Sequence, residues 1–166
     1  MVEWLAGNRI IGTTAERPNF GLPSGSVGGW VELGRHVIGT ASSEVFVASL
    51  PDKRYYMVLY EDKGEASANA RLLRYNSDAN NIYSNRVSTN GASDTDQDTQ
   101  PQHNGWNGNN TTPQFNVWYI ANLAGKEKLL ISEGVMQGTA GAGTAPARTE
   151  YVGKSTLSAV INRIGV

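Results

Sequence analysis

Three aspartates, Asp94, Asp96 and Asp98, alternate with polar residues in the least hydrophobic part of the chain. A calcium ion needs several carboxylate and carbonyl oxygens that converge from one short turn, and this spacing could supply them. An EF-hand loop would require glycine and glutamate where the chain has Thr99 and Gly105. We therefore predict an acidic loop without a bound metal or other cofactor, with calcium binding as the alternative.

Other residues of catalytic type lack the context that their chemistry needs. The segment Gly153-Lys154-Ser155 resembles the end of a phosphate-binding loop, but Arg148 stands where the first glycine belongs. His36 and His103 are the only histidines, and no G-x-S-x-G nucleophile motif accompanies them. We expect His36 on a strand and His103 in a solvated loop. The acids concentrate in turns, so we predict no catalytic residues, with glycan hydrolysis by paired carboxylates as the enzymatic alternative.

Trp106 lies among amide side chains, at Asn104, Asn107 and Asn109. Sugar sites on β-sandwiches combine an aromatic platform for C–H groups with amides that bind hydroxyls. The four residues are therefore a candidate sugar-binding site. In the alternative interpretation, Trp106 anchors its own loop to the body or to a neighbouring subunit.

The composition of the 166 residues excludes several classes of protein. Hydrophobic residues make up 39% and charged residues 17%, the net charge is -1, and there is no cysteine. This balance indicates one ordinary globular domain and argues against nucleic acid as a partner, which would require clustered Lys and Arg. No segment has the pattern of a signal peptide or the roughly 18 consecutive apolar residues of a membrane span. We expect synthesis in a cytoplasm and no membrane partner.

The segment Arg54–Tyr60 is the strongest strand signal, and the rest of the chain is predicted to cover it. Successive side chains of a strand point to opposite faces, and both faces of this segment are apolar. One face should meet the opposite sheet. The other face, with Tyr56, Val58 and Tyr60, should be covered by the N-terminal segment or by another copy of the chain. These three residues are our predicted assembly contact on the sheet.

About eight or nine short strands separated by turn signals predict an all-β antiparallel sandwich, jelly-roll-like, with a smaller barrel as the alternative. Helical periodicity and capping signals are absent from the sequence. Residues 88–113 are predicted to form a long polar loop, and 138–146 a small-residue loop. The predicted strand segments besides 54–60 are 30–37, 44–50, 69–76, 82–87, 114–122, 128–132 together with 135–137, 148–154 and 156–164.

Residues 1–29 contain glycine and proline too often for a helix or long strand, so they are predicted to form an extended arm before a domain at 30–166. A solvated linker rarely has so many large apolar residues. We therefore expect the arm to lie on its own domain or on a neighbour. The predicted arm contacts are Trp4, Leu5, Ile10, Ile11, Phe20 and Leu22.

Several segments resemble small structural proteins of tailed bacteriophages, particularly marine ones. They are Trp30–Arg35, Ser49–Leu59, Leu72–Asp78, Tyr83–Arg86, Asn90–Asp94, Gln137–Pro146 and Val152–Lys154. Similar chains continue through another glycine-rich turn and strand, whereas this sequence ends at Val166. The last strand is thus expected to pair either within the subunit or with a neighbour.

The resemblance implies a β-sandwich displayed on a virus particle, and it carries over no catalytic residues. The expected function is that of a virion structural protein, a capsid decoration or cement protein that docks on the major capsid protein. The alternative is a host-attachment module of a tail or head fibre that binds a host surface glycan. In both cases we expect location in the virion and a homo-oligomer, with a trimer favoured.

Overall fold

The computed structural model describes residues 4–5, 9–10, 30–39, 44–63, 69–108 and 112–166, with backbone alone at 4–5, 9–10, 63, 69–71 and 104–108. The chain divides into two compact units, residues 1–37 and residues 38–166. The boundary therefore falls after Val37 rather than before Trp30.

The first unit contains a short antiparallel pair, β1 (Trp4–Leu5) and β2 (Arg9–Ile10). The strand predicted at 30–37 is wrong, because only Trp30 has a bridge and the residues after it form no strand. The side chains at 30–37 are exposed, and the Arg35 guanidinium donates two hydrogen bonds of 3.1 Å to the Glu32 carboxylate. This segment thus lacks the buried face that would stabilise a strand.

The described residues of the second unit form ten strands in two antiparallel sheets, which confirms the predicted all-β sandwich. The strands are β3 (Phe46–Ala48), β4 (Tyr55–Lys63), β5 (Asn69–Tyr75), β6 (Tyr83–Thr89), β7 (Thr95–Gln100), β8 (His103–Gly108), β9 (Pro113–Ala121), β10 (Lys128–Met136), β11 (Ala147–Ser155) and β12 (Arg163–Gly165). The larger sheet has the order β4-β9-β10-β11-β6-β7, and the smaller sheet has the order β3-β12-β5-β8.

The strand order is that of a jelly roll with one elaboration. Eight strands, β3 to β9 and β12, are distributed between the sheets as in a double Greek key, with β6 and β7 forming a hairpin in the larger sheet, and β3-β12-β5-β8 is a complete four-stranded half. In the other half, a single strand would pair with both β4 and β6. Here the meander β9-β10-β11 fills that position, so the sheet is two strands wider.

The core lies between the two sheets of the second unit. Leu73, Tyr75 and Ile164 come from the smaller sheet, and they contact side chains from the larger one. The buried members from the rest of the unit are Tyr56, Tyr83, Trp118, Ile120, Leu130 and Ile161. Burying large aromatic and aliphatic side chains from both layers is the main stabilisation of such a sandwich.

The loop predicted at 88–113 is wrong, because β7 and β8 occupy most of it. β7 pairs with β6 in the larger sheet, and β8 pairs with β5 in the smaller one. The chain crosses between the sheets at Pro101 and Gln102. β7 is an edge strand, mostly exposed on both faces, so it needs no apolar alternation and has the polar sequence of a loop.

The last strand pairs within the subunit rather than with a neighbour. β12 lies between β3 and β5, and the Val166 N–H donates to the Val45 carbonyl at 2.7 Å. The strand predicted at 156–164 is largely wrong, because residues 156–162 are irregular and the strand begins at Arg163.

Candidate interaction surface

The outward face of the larger sheet is apolar over three adjacent strands, β4, β9 and β10, and at Val152 on the neighbouring β11. We call this surface the apolar outer face and define it by the outward side chains of β4, β9, β10 and β11. Eight of its large side chains are 40 to 60% exposed, and Leu59 and Ile131 are the most exposed at 60%. The eight are Tyr55, Leu59, Phe115, Tyr119, Leu129, Ile131, Val135 and Val152.

Strand register brings these side chains into rows across the sheet. Met57 lies opposite Tyr119, Tyr119 opposite Ile131, and Ile131 opposite Val152. We call these four residues the central row. Directly opposed residues have Cβ atoms about 4.5–5.5 Å apart, so the row is a continuous apolar strip. It continues on β6 at Arg86, which lies opposite Val152 and marks one border of the apolar outer face.

Charged residues on β10 and β11 flank the central row. Glu133, two residues after Ile131, lies directly opposite Glu150, two residues before Val152, and Arg148 approaches Glu150 at 3.4 Å. On the other side of the row, Lys154 lies 3.8 Å from Glu127. These ion pairs are half-exposed and contribute little stability, but they give the border of the face a defined charge pattern.

The inward face of the same meander is unusually polar at one end. Asn116, Gly134 and Thr149 form one row, and Gln114 and Ser132 lie next to it. All five positions are buried. The Asn116 Nδ2, Gln114 Oε1, Ser132 Oγ and Thr149 Oγ1 atoms have no hydrogen-bond partner. At this end the meander therefore carries polar groups inside and apolar groups outside, which is the reverse of the usual arrangement.

The predicted assembly face of β4 points into the core, so this prediction is wrong. Tyr56 is 4% exposed and belongs to the core, and Val58 and Tyr60 pack against that core. The Tyr56 hydroxyl lies 2.7 Å from the Pro51 carbonyl oxygen and 3.0 Å from that of Ile161. These three side chains face the smaller sheet. β4 is an edge strand of the larger sheet, and its outward residues belong to the apolar outer face.

The predicted sugar-binding residues lie mostly on β8 rather than in a loop. Asn104 pairs with Leu72 and Asn107 with Ala70 across the β5–β8 ladder. The side chains of Asn104, Trp106 and Asn107 and the whole of Asn109 lie outside the described residues. The sugar site therefore stays a prediction.

The predicted arm contacts also stay predictions. Trp4, Leu5 and Ile10 are on the β1–β2 pair, where Trp4 lies opposite Ile10. Their side chains lie outside the described part of the chain, as do Ile11, Phe20 and Leu22.

The three aspartates of the calcium alternative lie at and on β7. The Asp96 carboxylate forms an ion pair with the Arg86 guanidinium at 3.0 Å, and the Asp94 carboxylate lies 3.9 Å from the same guanidinium. Asp98 is exposed. Within the described ranges, no group of three His, Asp or Glu residues is close enough to hold a metal ion. Two of the three predicted ligands thus have a cationic partner instead.

His103 is not in a solvated loop but in the interior, and that prediction is wrong. It is 1% exposed, its ring lies edge-on to Tyr75 and Tyr83, and its Nδ1 lies 2.6 Å from the Asn85 Oδ1. A Cβ at Gly153 would lie 2.7 Å from the His103 Nδ1. The glycine therefore makes room for the imidazole ring, and the Gly153-Lys154-Ser155 segment is strand rather than phosphate-binding loop.

The apolar outer face could not be identified from the sequence, although one signal pointed to it. In β10, Leu129, Ile131 and Val135 alternate with Leu130 and Met136, so both faces look apolar. A strand that is apolar on both faces must be covered twice, and here one cover is missing among the described residues.

Comparison of the chain with protein-family models, with curated proteins and with solved structures finds no match. Within the described residues, no helix is long and apolar enough to cross a membrane. The fold and the surface thus define an all-β jelly-roll sandwich with a widened sheet and an apolar outer face.

Proposed function

We propose that this chain is a structural protein of a virus particle, a capsid decoration or cement protein that acts through assembly rather than catalysis. The observation that carries the proposal is the apolar outer face. Single exposed apolar residues are normal on a protein surface, but a contiguous patch of this kind marks an interaction site.

The energetics of the face favour a stable contact. Its eight exposed side chains leave on the order of 800 Å² of accessible surface, which is what one partner contributes to a standard interface. At about 25 cal/mol per Å², covering that area would gain on the order of 20 kcal/mol per partner before the costs of association. Those costs are about 4–15 kcal/mol or more, so a well-matched partner would bind firmly.

The fold alone does not select this function, because jelly rolls occur in viral capsid proteins, lectins and cupins. The resemblance of Trp30–Arg35, Ser49–Leu59 and Leu72–Asp78 to phage structural proteins favours the first of these classes. The apolar outer face agrees with it, since a sugar-binding surface would present fixed polar groups beside an aromatic platform.

Quantitative mass spectrometry of purified particles tests the proposal. Tailed-phage particles whose genome encodes this chain would be banded on a density gradient, and the chain would be counted against the major capsid protein. We expect a fixed ratio with many copies per particle. A few copies that remain with isolated tails would favour the fibre alternative, and absence from intact particles would overturn the proposal.

A further inference from the structure

We infer that a second copy of this chain covers the apolar outer face, with the two copies related by a two-fold axis along the central row. This inference rests on the proposed assembly role and names the partner. A two-fold contact buries the same patch on both copies, so a self-complementary patch is sufficient and no other partner is needed.

The size of the face fits this occupant. The largest apolar patch on a typical monomer is about 300–600 Å², and the apolar outer face exceeds that range. Two copies that each contribute roughly 800 Å² reach the total of about 1,600 Å² of a standard interface. The face is also a pleated sheet surface, and two such surfaces pack with aligned strands about 10 Å apart.

The charges beside the central row select the axis. Glu150 and Lys154 lie on β11, two residues before and two residues after Val152 of the row, respectively. Rotation about an axis along the row exchanges its two sides, so Lys154 of one copy faces Glu150 of the other. The dimer would contain this contact twice. An axis along β10 would instead set the Glu133 side chains of the two copies against each other, which is unfavourable.

The pairing of Lys154 with Glu150 has to come from the second copy. The two residues are four positions apart on one strand, which corresponds to roughly 13 Å. At physiological ionic strength charges separated by more than about 8 Å are largely screened. Exchanging one of these charges also breaks its half-exposed ion pair within the copy, Lys154 with Glu127 or Glu150 with Arg148, and mixing the two variants restores only the contact between copies.

Sedimentation equilibrium of the full chain tests the inference. We expect a dimer, and we expect Ile131→Glu to weaken it at least about a hundredfold, because it places a charge at the centre of the buried face. Ala140→Glu adds the same charge in the exposed 137–146 loop and should leave the dimer unchanged. A wild-type monomer, a trimer, or a dimer that Ile131→Glu leaves intact would overturn the inference.

Complementation between two charge variants tests the axis without disturbing the core. Lys154→Glu and Glu150→Lys should each weaken self-association roughly tenfold, because each places like charges together twice. A mixture of the two variants should restore the dimer, since both contacts in the mixed species then join opposite charges. Failure of the mixture to associate more tightly than either variant alone would overturn the proposed axis.

The result is separable from that of the particle experiment. A chain that is monomeric in solution yet present in many copies on particles would overturn the dimer and leave the virion function standing. A chain that forms the dimer in solution but is absent from particles would overturn the virion function and leave the dimer standing.

Discussion

The Nδ1 atom of His103 lies 2.6 Å from the Oδ1 atom of Asn85 in the interior of the sandwich. Because an amide oxygen only accepts, this placement puts the proton of a neutral imidazole on Nδ1. The Nε2 atom has no partner, so the neutral ring leaves an acceptor rather than a charge unsatisfied. Burial lowers the pKa of His103 from 6.5 to about 3. The native state therefore holds this histidine neutral.

This burial predicts that stability falls in mild acid. The unfolded chain binds a proton at His103 below about pH 6.5, while the folded chain does so only near pH 3. Between these values the unfolded state binds more protons, so the free energy of unfolding should drop by about 1.4 kcal/mol per pH unit as the pH falls. Urea unfolding at pH 7, 6, 5 and 4 measures this slope.

The variant His103→Gln is the control, because it removes the titrating group and retains an amide that can reach Asn85. Its stability should change less than that of the wild type between pH 6.5 and 4.5, whatever its absolute value. His36 is exposed and present in both proteins, so it does not account for a difference. Parallel pH profiles for the two proteins would contradict a buried neutral His103.

The sequence predicts those strands whose pattern directly reflects their burial. β4 and β5 were found because large apolar residues follow one another between turn signals, as in Tyr55–Tyr60 and Leu72–Tyr75. β7 was missed because its edge position leaves it mostly exposed on both faces, so nothing in Thr95–Gln100 has to be apolar. Its stability comes from non-local pairing with β6, which short-range patterns do not contain.

The pattern that predicts a strand does not show which of its two faces is buried. A period of two shows that neighbouring side chains face opposite ways, but not which set is buried. In β10 the inward set includes Lys128 and Ser132, and the outward set includes Ile131 and Val135. Hydrophobicity alone would favour the opposite assignment. The same ambiguity in Tyr55–Tyr60 placed the predicted assembly contact on the buried side of β4.

The close approach of Gly134 to Asn116 predicts that Gly134→Ala is strongly destabilising. A Cβ at Gly134 would lie 2.3 Å from the Asn116 Oδ1, and Asn116 is itself 1% exposed. The amide must therefore move in a packed interior, which should lower the free energy of unfolding by about 1–3 kcal/mol. Chemical denaturation measures the loss. Gly143→Ala is the matched control, because a Cβ there would meet nothing within 4 Å, and equal losses would contradict the argument.

The hydroxyl of Thr149 predicts a substitution that raises stability. This side chain is 1% exposed, and its Oγ1 has no hydrogen-bond partner. A buried polar group without a partner costs about 1–3 kcal/mol, and Thr149→Val replaces it with a methyl group of similar size. We expect the midpoint of urea unfolding to rise. A fall would show that the hydroxyl binds a buried water molecule, which the valine cannot do.

Adjacent tyrosines on opposite faces of β4 provide the sharpest separation of folding from association. Tyr56→Phe removes the hydroxyl that lies beside the Pro51 and Ile161 carbonyl oxygens, so it should lower the free energy of unfolding by about 1–3 kcal/mol at an unchanged oligomeric state. The stability comparison uses monomeric protein, prepared in the Ile131→Glu background.

Tyr55→Ser should act in the opposite way. Tyr55 is 58% exposed on the apolar outer face, so its loss should leave the stability of the monomer within about 0.5 kcal/mol. In the wild-type background the same change should weaken self-association by about 1 kcal/mol or more, measured by sedimentation equilibrium. If Tyr56→Phe weakened association and Tyr55→Ser only destabilised the fold, the assignment of the two faces of β4 would have to be reversed.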